Sequence, residues 1–351
     1  MWKNAVLIAG LAALAACAPM TKRPTVDSAL IKIEAEKQRA LVVDQYLKDT
    51  NRLNQVTYPV LKANSELCGK NTAYHFGGYV INRDFFSKEY RSAALKNADI
   101  GEVLRIQSIA RNSAASRAGM EVGDRIITIG NKDAPTGEKA INEFYELFGN
   151  AAEESSTVDM TILRGGKNLD ISIKPDVICN YGYSIEINET LNAYADGKRI
   201  LISSAMIRFL PDDNDLALVV SHEVAHNQME HIRKGKDNTN IGIAADLLFA
   251  VFGVNTQGSF ANVGASAYSQ EFEFEADYVG MYMSARAGFE IENAANIWRR
   301  MAATNPSGIQ KSGKRSHPSS PERFVALEKT TDEINAKRAA NLPLLPEMEE
   351  N

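Results

Sequence analysis

The chain has 351 residues, a formal net charge of −5 and three cysteines. That length is ample for a large core and points to two folded units. Mild acidity without a basic run excludes nucleic acid as the main partner, and no long repeat or low-complexity stretch stands out.

Residues 1–16 read as a targeting segment. Lys3 supplies a short positive start, AVLIAGLAALAA is an apolar core shorter than a membrane span, and Cys17 follows. The tetrapeptide Leu14-Ala15-Ala16-Cys17 resembles a bacterial lipobox, which implies cleavage before Cys17 and lipidation of that residue. Ala18, rather than Asp, after the cysteine implies by the same resemblance the periplasmic face of the outer membrane. Several acyl chains make a stable anchor, so the membrane is an expected partner through the lipid. Residues 17–67 are expected to form a helical stalk. Asp27 to Leu61 is charged and helix-compatible, and Leu30, Ile33, Leu41 and Leu47 form an apolar stripe.

Residues 68–180 form the next expected unit. GEVLRIQSIARNSAASRAGMEVGDRIITIGN holds a β-pattern, a small-residue helix, and Gly123-Asp124 before another apolar strand. A helix at INEFYELFGN and a hairpin turning at Gly165-Gly166 follow. This series resembles a PDZ domain of the bacterial protease type, on the pattern S-x-A-x-x-A-G-M-x-x-G-D-x-I. The resemblance implies binding of extended peptides by strand addition, with His75-Phe76-Gly77-Gly78 as the candidate carboxylate-binding loop. With Cys17 lipidated, Cys68 and Cys179 are the remaining pair in a compartment where disulfides persist, and a bond between them is expected.

The stretch LPDDNDLALVVSHEVAHNQMEHI carries the most informative motif, an H-E-x-x-H match at His222, Glu223 and His226. Its Pro and Asp/Asn opening suits a helix start, and Leu216, Val219, Val220, Val224 and Ala225 recur at helical spacing. Lys234, Gly235 and Lys236 read as its stop. Residues four apart project from one face, so two imidazoles can grip one metal while Glu223 addresses a water. A catalytic zinc normally takes three protein ligands. Met229 and Ile232 replace the Gly and His that a metzincin needs. His231 lies about 140° further round the helix from His226, a position for packing or for supporting a ligand.

Downstream, Glu271, Glu273, Glu275 and Asp277 alternate with apolar residues before a helical pattern. Glu273 and Asp277 share a helix face, so one could bind metal while the other orients a histidine; spacing alone does not choose among the acids. The stretch from Ile241 to Ala267 is too interrupted to span a bilayer and reads as a loop or helical hairpin over the cleft, with Gly258, Gly264, Ala265 and Ser266 allowing movement. KRSHPSSPERF is a polar loop leading into a helix at Glu322, and a polar helix and an extended end follow Thr330.

Taken together, SHEVAH, EFEADYVG and SHPSSPER resemble the three motifs of the HtpX/BepA-type membrane-associated zinc peptidases, a gluzincin family. The resemblance implies ligands His222, His226 and Glu273 for one zinc ion, Glu223 as general base, and Asp277 behind the ligands. It brings His317 toward the active site, where it would stabilise an oxyanion, and makes Arg323 the anchor of that region. NAYADGKRILISSAMIRFL resembles the family's edge strand and following helix, which places Asn192 and Ala193 at the rim of a substrate groove.

The expected fold class is α+β. A mainly helical zincin-type metallopeptidase domain with a small edge β-sheet occupies residues 181–330, beside the β-rich PDZ-like domain and a tail at 331–351. The expected function is zinc-dependent hydrolysis of protein or peptide substrates. The alternative is a chaperone-like assembly or quality-control factor that binds clients through the PDZ-like unit, its peptidase activity latent.

Overall fold

A computed structural model of the chain describes residues 21, 23–251, 257, 259, 269–304 and 320–348. The targeting segment, Cys17, His317 and the four small residues at 258 and 264–266 lie outside these described residues. The fold is α+β, and its apolar residues separate into two cores. Among the described residues no helix is long and apolar enough to cross a membrane.

A 36-residue helix, α1 (Ser28–Ala63), opens the described chain. The Asp27 carboxylate caps it by accepting the Ala29 N–H at 2.6 Å, which satisfies one of the free donors of the first turn. Leu30, Ile33 and Leu41 are exposed while Leu47 is buried. The helix therefore stands clear at its start and enters the core from Val43 onward. There it touches both units. Asn54 donates to Ser108 Oγ at 2.9 Å on one side and accepts from Tyr183 OH at 2.5 Å on the other. Arg52 reaches Asp213 at 2.7 Å and the carbonyls of Ile207 and Asp212 at 2.9 Å.

The smaller core belongs to an antiparallel sheet of strand order β2-β3-β4-β6-β7, made by Gly78–Ile81, Arg105–Ile109, Arg125–Ile129, Val158–Arg164 and Lys167–Ile173; β5 (Lys132–Asp133) pairs beside β4. The β6–β7 hairpin turns at Gly165 and Gly166, with φ of 57° and 79°, a conformation that side chains resist. Helices α2 (Lys88–Ala98), α3 (Ala114–Arg117) and α4 (Ala140–Glu154) accompany the sheet. Phe144 and Phe148, one turn apart on α4, meet Phe76 in this core. Helix α2 had no counterpart in the sequence reading, because its buried positions are only two alanines.

A neck joins this unit to the rest. Strand β1 (Thr72–His75) pairs antiparallel with β8 (Asp176–Cys179), so entry and exit run side by side. A disulfide links Cys68 to Cys179 with a Cα–Cα distance of 5.6 Å. Just past β1, the Gly77 N–H donates to His75 Nδ1 at 2.8 Å, and Tyr145 OH donates to the Gly78 carbonyl at 3.2 Å. The His75 ring stacks on Phe76 and Tyr145. The candidate carboxylate-binding loop thus spends one of its amides on its own histidine. Burial lowers the His75 pKa to about 4.

The larger core contains a three-stranded sheet of order β10-β11-β9: Ala193–Ala195, Arg199–Ser203 and Gly182–Glu186. Strand β10 is antiparallel to β11 and lies at the edge. Helix α5 (Ser204–Phe209) follows β11 directly. Helix α6 (Asp213–Gln228) is buried on every side from Asp215 to Asn227. It ends earlier than the expected stop: Glu230 adopts a left-handed φ of 57°, and α7 (His231–Val251) starts at once, with Gly235 inside it. Helices α8 (Ser269–Arg286), α9 (Ala294–Ala303) and α10 (Pro321–Ala339) complete the layer. Helix α10 runs through Thr330 without a break, so the polar helix expected after that residue is its second half.

Two outcomes are expected. Replacing both Cys68 and Cys179 by serine releases a loop of 111 residues and lowers stability to urea by about 5 kcal/mol in the loop-entropy model. His75 is neutral when folded, so its contribution is intact above pH 6.5 and is lost as pH falls toward 4. A urea titration of His75→Gln should show a shallower loss of stability over that window than the parent chain.

Candidate metal centre

Helices α6 and α8 approach at Gly280. A Cβ built there would lie 2.9 Å from the His222 amide nitrogen and 3.0 Å from its Cα, so only hydrogen fits. One turn on, Ser284 Oγ meets Ser221 Oγ at 2.8 Å and the Ala217 carbonyl at 3.2 Å, which satisfies both buried hydroxyls. Small residues on both helices allow this contact, and it sets the spacing of everything beside it.

Three side chains converge there: His222 and His226 from α6, Glu273 from α8, all buried. The two Nε2 atoms are 3.0 Å apart. Glu273 stands 3.5 Å from the first through Oε2 and 3.3 Å from the second through Oε1, and one ligand atom from each of the three residues lies within 4.8 Å of the others. Ligands about 2.0–2.1 Å from a tetrahedral zinc would be separated by about 3.3 Å, so these spacings suit the ion. The donor set, two imidazoles and a carboxylate, also suits zinc and leaves a position open.

Helix phase resolves the acidic run. Glu273 and Asp277 are on the buried face, Glu275 is partly buried and Glu271 is exposed. Asp277 accepts from His222 Nδ1 at 2.9 Å, the orientation a ligand histidine needs. Arg323 of α10 grips Asp277 with two bonds of 2.7 and 2.8 Å and touches Glu273 at 3.0 Å. Its guanidinium lies 5.2 Å from the Trp298 ring of α9, which is 5.0 Å from His222.

These contacts shape the charges. Burial opposes a charge on His222, but Asp277 and Glu273 outweigh it and push its pKa up to about 10. The site therefore favours positive charge at that nitrogen. Burial dominates at His226 and lowers it to about 4. Burial also works against Asp277 and Arg323, yet each holds the other ionised, with Asp277 lowered and Arg323 raised. Among the described residues, three buried carboxylates face one guanidinium, an excess that a divalent cation would balance.

The remaining candidates lie nearby. Glu223 is buried beside His226, within electrostatic reach of Arg323. Ala193 begins the edge strand β10, which packs on α6, and Asn192 precedes it with its carbonyl accepting from Ser203 N–H at 2.9 Å. His231, the first residue of α7, is buried behind His226.

Residues 171–331 match the model of Peptidase family M48, and residues 86–174 that of a PDZ domain. This chain carries an M48 peptidase domain and a PDZ domain. Similar proteins include the mitochondrial metalloendopeptidase OMA1 of Schizosaccharomyces pombe, 27% identical over 42% of this chain and 46% of its own. The beta-barrel assembly-enhancing protease of Escherichia coli is 26% identical over 29% of this chain and 24% of its own. Metalloprotease LoiP of Escherichia coli is 26% identical over 40% and 59%. The chain thus spans between 24% and 59% of the length of these three relatives.

Two residues of the M48 domain escaped the sequence reading. Gly280 had a legible signal, since a glycine inside a helix costs about 1 kcal/mol against alanine and needs a reason. Trp298 had none, because an aromatic in an amphipathic helix reads as core. Gly280→Ala tests the contact by its sign. Helix propensity alone would stabilise by about 1 kcal/mol, whereas overpacking against the α6 backbone costs about 1–3 kcal/mol. Urea unfolding should show a net loss; a gain would refute the close approach.

Proposed function

We propose that this protein is a membrane-anchored zinc endopeptidase of the bacterial envelope that cleaves misfolded or misassembled proteins. The observation that carries the reading is the buried triangle of His222, His226 and Glu273, with Glu223 next to it in sequence and in space. The relatives named as proteases support peptide hydrolysis. The lipobox resemblance at Cys17 and the bonded cysteine pair support an exported, anchored protein.

In this reading, zinc held by His222, His226 and Glu273 supplies a Lewis acid that makes a water acidic near neutral pH. Glu223 takes the proton of the attacking water on its carboxylate and passes it to the nitrogen of the leaving amine. Asp277 holds the His222 ring by its Nδ1–H, and Arg323 holds Asp277. Strand β10, with Ala193 at its start and Asn192 just before it, offers edge backbone groups along which an extended substrate would lie. His317 stabilises the oxyanion, and the PDZ domain recruits chains by strand addition.

Glu223→Gln is the direct test. The variant should keep one zinc per chain, counted by elemental analysis, while cleavage of an unfolded casein-like substrate falls at least about 10²-fold. Cleavage at the parental rate removes Glu223 from the base role. Absence of zinc from the parent chain removes the metal centre itself.

A further inference from the structure

His231 and Glu275 lie outside the triangle, yet the geometry ties them to it. His231 Nδ1 stands 2.9 Å from His226 Nδ1, and His231 Nε2 stands 2.6 Å from a Glu275 carboxylate oxygen. The His231 ring is buried and stacked on Phe272, with centroids 4.5 Å apart and planes 15° off parallel. The left-handed turn at Glu230 delivers it there by ending α6 early and starting α7 at His231.

With the Nε2 atoms of His222 and His226 turned to a metal, only one placement of protons satisfies the contacts behind them. His226 turns Nε2 toward His222 and Glu273, so as a ligand it carries no proton on that nitrogen. Its proton therefore sits on Nδ1 and is donated to His231 Nδ1. His231 then carries its own proton on Nε2 and donates it to Glu275. His222 shows the shorter version of the same device, with Asp277 bonded directly to its Nδ1. Each histidine of the pair is thus backed by a carboxylate, one directly and one through a second imidazole.

We infer that His231 and Glu275 are positioning residues for the metal centre, acting in series to fix the tautomer and ring orientation of His226. The inference rests on the reading of His222, His226 and Glu273 as zinc ligands. Partners of this kind are worth about 10–100-fold in metal affinity. Glu275 is the more accessible end, its side chain 36% exposed against 2% for His231, so it can be changed without opening the core.

The test measures the zinc dissociation constant of the full chain by competition with a colorimetric chelator. Four proteins are compared: the parent, His231→Phe, Glu275→Ala and the double variant. Phenylalanine keeps the stacking on Phe272 and removes both hydrogen bonds. The expected result is zinc binding weakened about 10–100-fold in His231→Phe and several-fold in Glu275→Ala, with the double variant no weaker than His231→Phe alone. That non-additivity marks groups acting in one chain, which a purely packing role would not produce. Affinity within twofold of the parent in either single variant, or additive effects in the double, overturns the inference. If His231→Phe does not fold, Glu275→Ala and Glu275→Gln decide alone, with the glutamine, which keeps an acceptor oxygen, recovering part of the loss. A parent chain that binds no zinc defeats the metal-centre reading itself, an outcome distinct from parent and variants binding equally well.

Discussion

The approach of α6 to α8 at Gly280 is the constraint on which the site depends. Two helices ordinarily keep 8–10 Å between axes because side chains fill the gap. Here a glycine is set directly against the backbone of His222, with serines bridging one turn away, so no side chain separates the two helices at that point. Only then do imidazoles from one helix and a carboxylate from the other fall within coordinating distance of each other. The site is a by-product of helix packing, and its precision is that of a packed core rather than of a loop.

Charge imposes the second condition. His222, Glu223, His226, Glu273, Asp277 and Arg323 are all buried, in a region where an unmatched charge is expensive. Arg323 answers part of this by binding two carboxylates at once, and the face of Trp298 gives the guanidinium an apolar but electron-rich wall. The rest of the negative potential falls on His222, whose pKa it holds well above the ordinary value, while burial outweighs it at His226. A cation would balance this environment.

The second half of α1 couples the two domains. Arg52 clamps the turn that precedes α6, while Asn54 bonds into the PDZ sheet and to Tyr183 of the M48 domain. Asp176, at the neck, receives Tyr58 and Lys62 from the same helix and Arg117 from the PDZ domain. A helix with exposed apolar residues at its start becomes a shared wall farther on. The PDZ domain is therefore held against the helix that also steadies the segment carrying His222 and His226.

How much of this was legible depends on the range of the interactions involved. The i,i+4 pair His222 and His226, the Gly165-Gly166 turn and the small-residue helix before Gly123-Asp124 are local, and spacing with backbone chemistry reads them directly. The acidic run resisted that reading because spacing alone does not say which helix face is buried, and the burial separates Glu273 and Asp277 from Glu271. The stop of α6 was misplaced because Gly235 is a stronger local signal than Glu230, yet the turn occurs at Glu230, where His231 packs behind His226. The sequence by itself determined the chemistry available: two imidazoles and a carboxylate on one helix, a cluster of acids on another, and a pair of cysteines. Which acid faces the histidines, what stands behind His226, and how near the helices come were decided only in the tertiary structure. Those choices depend on contacts between residues far apart in the chain, and no local pattern encodes the distance between two packed helices.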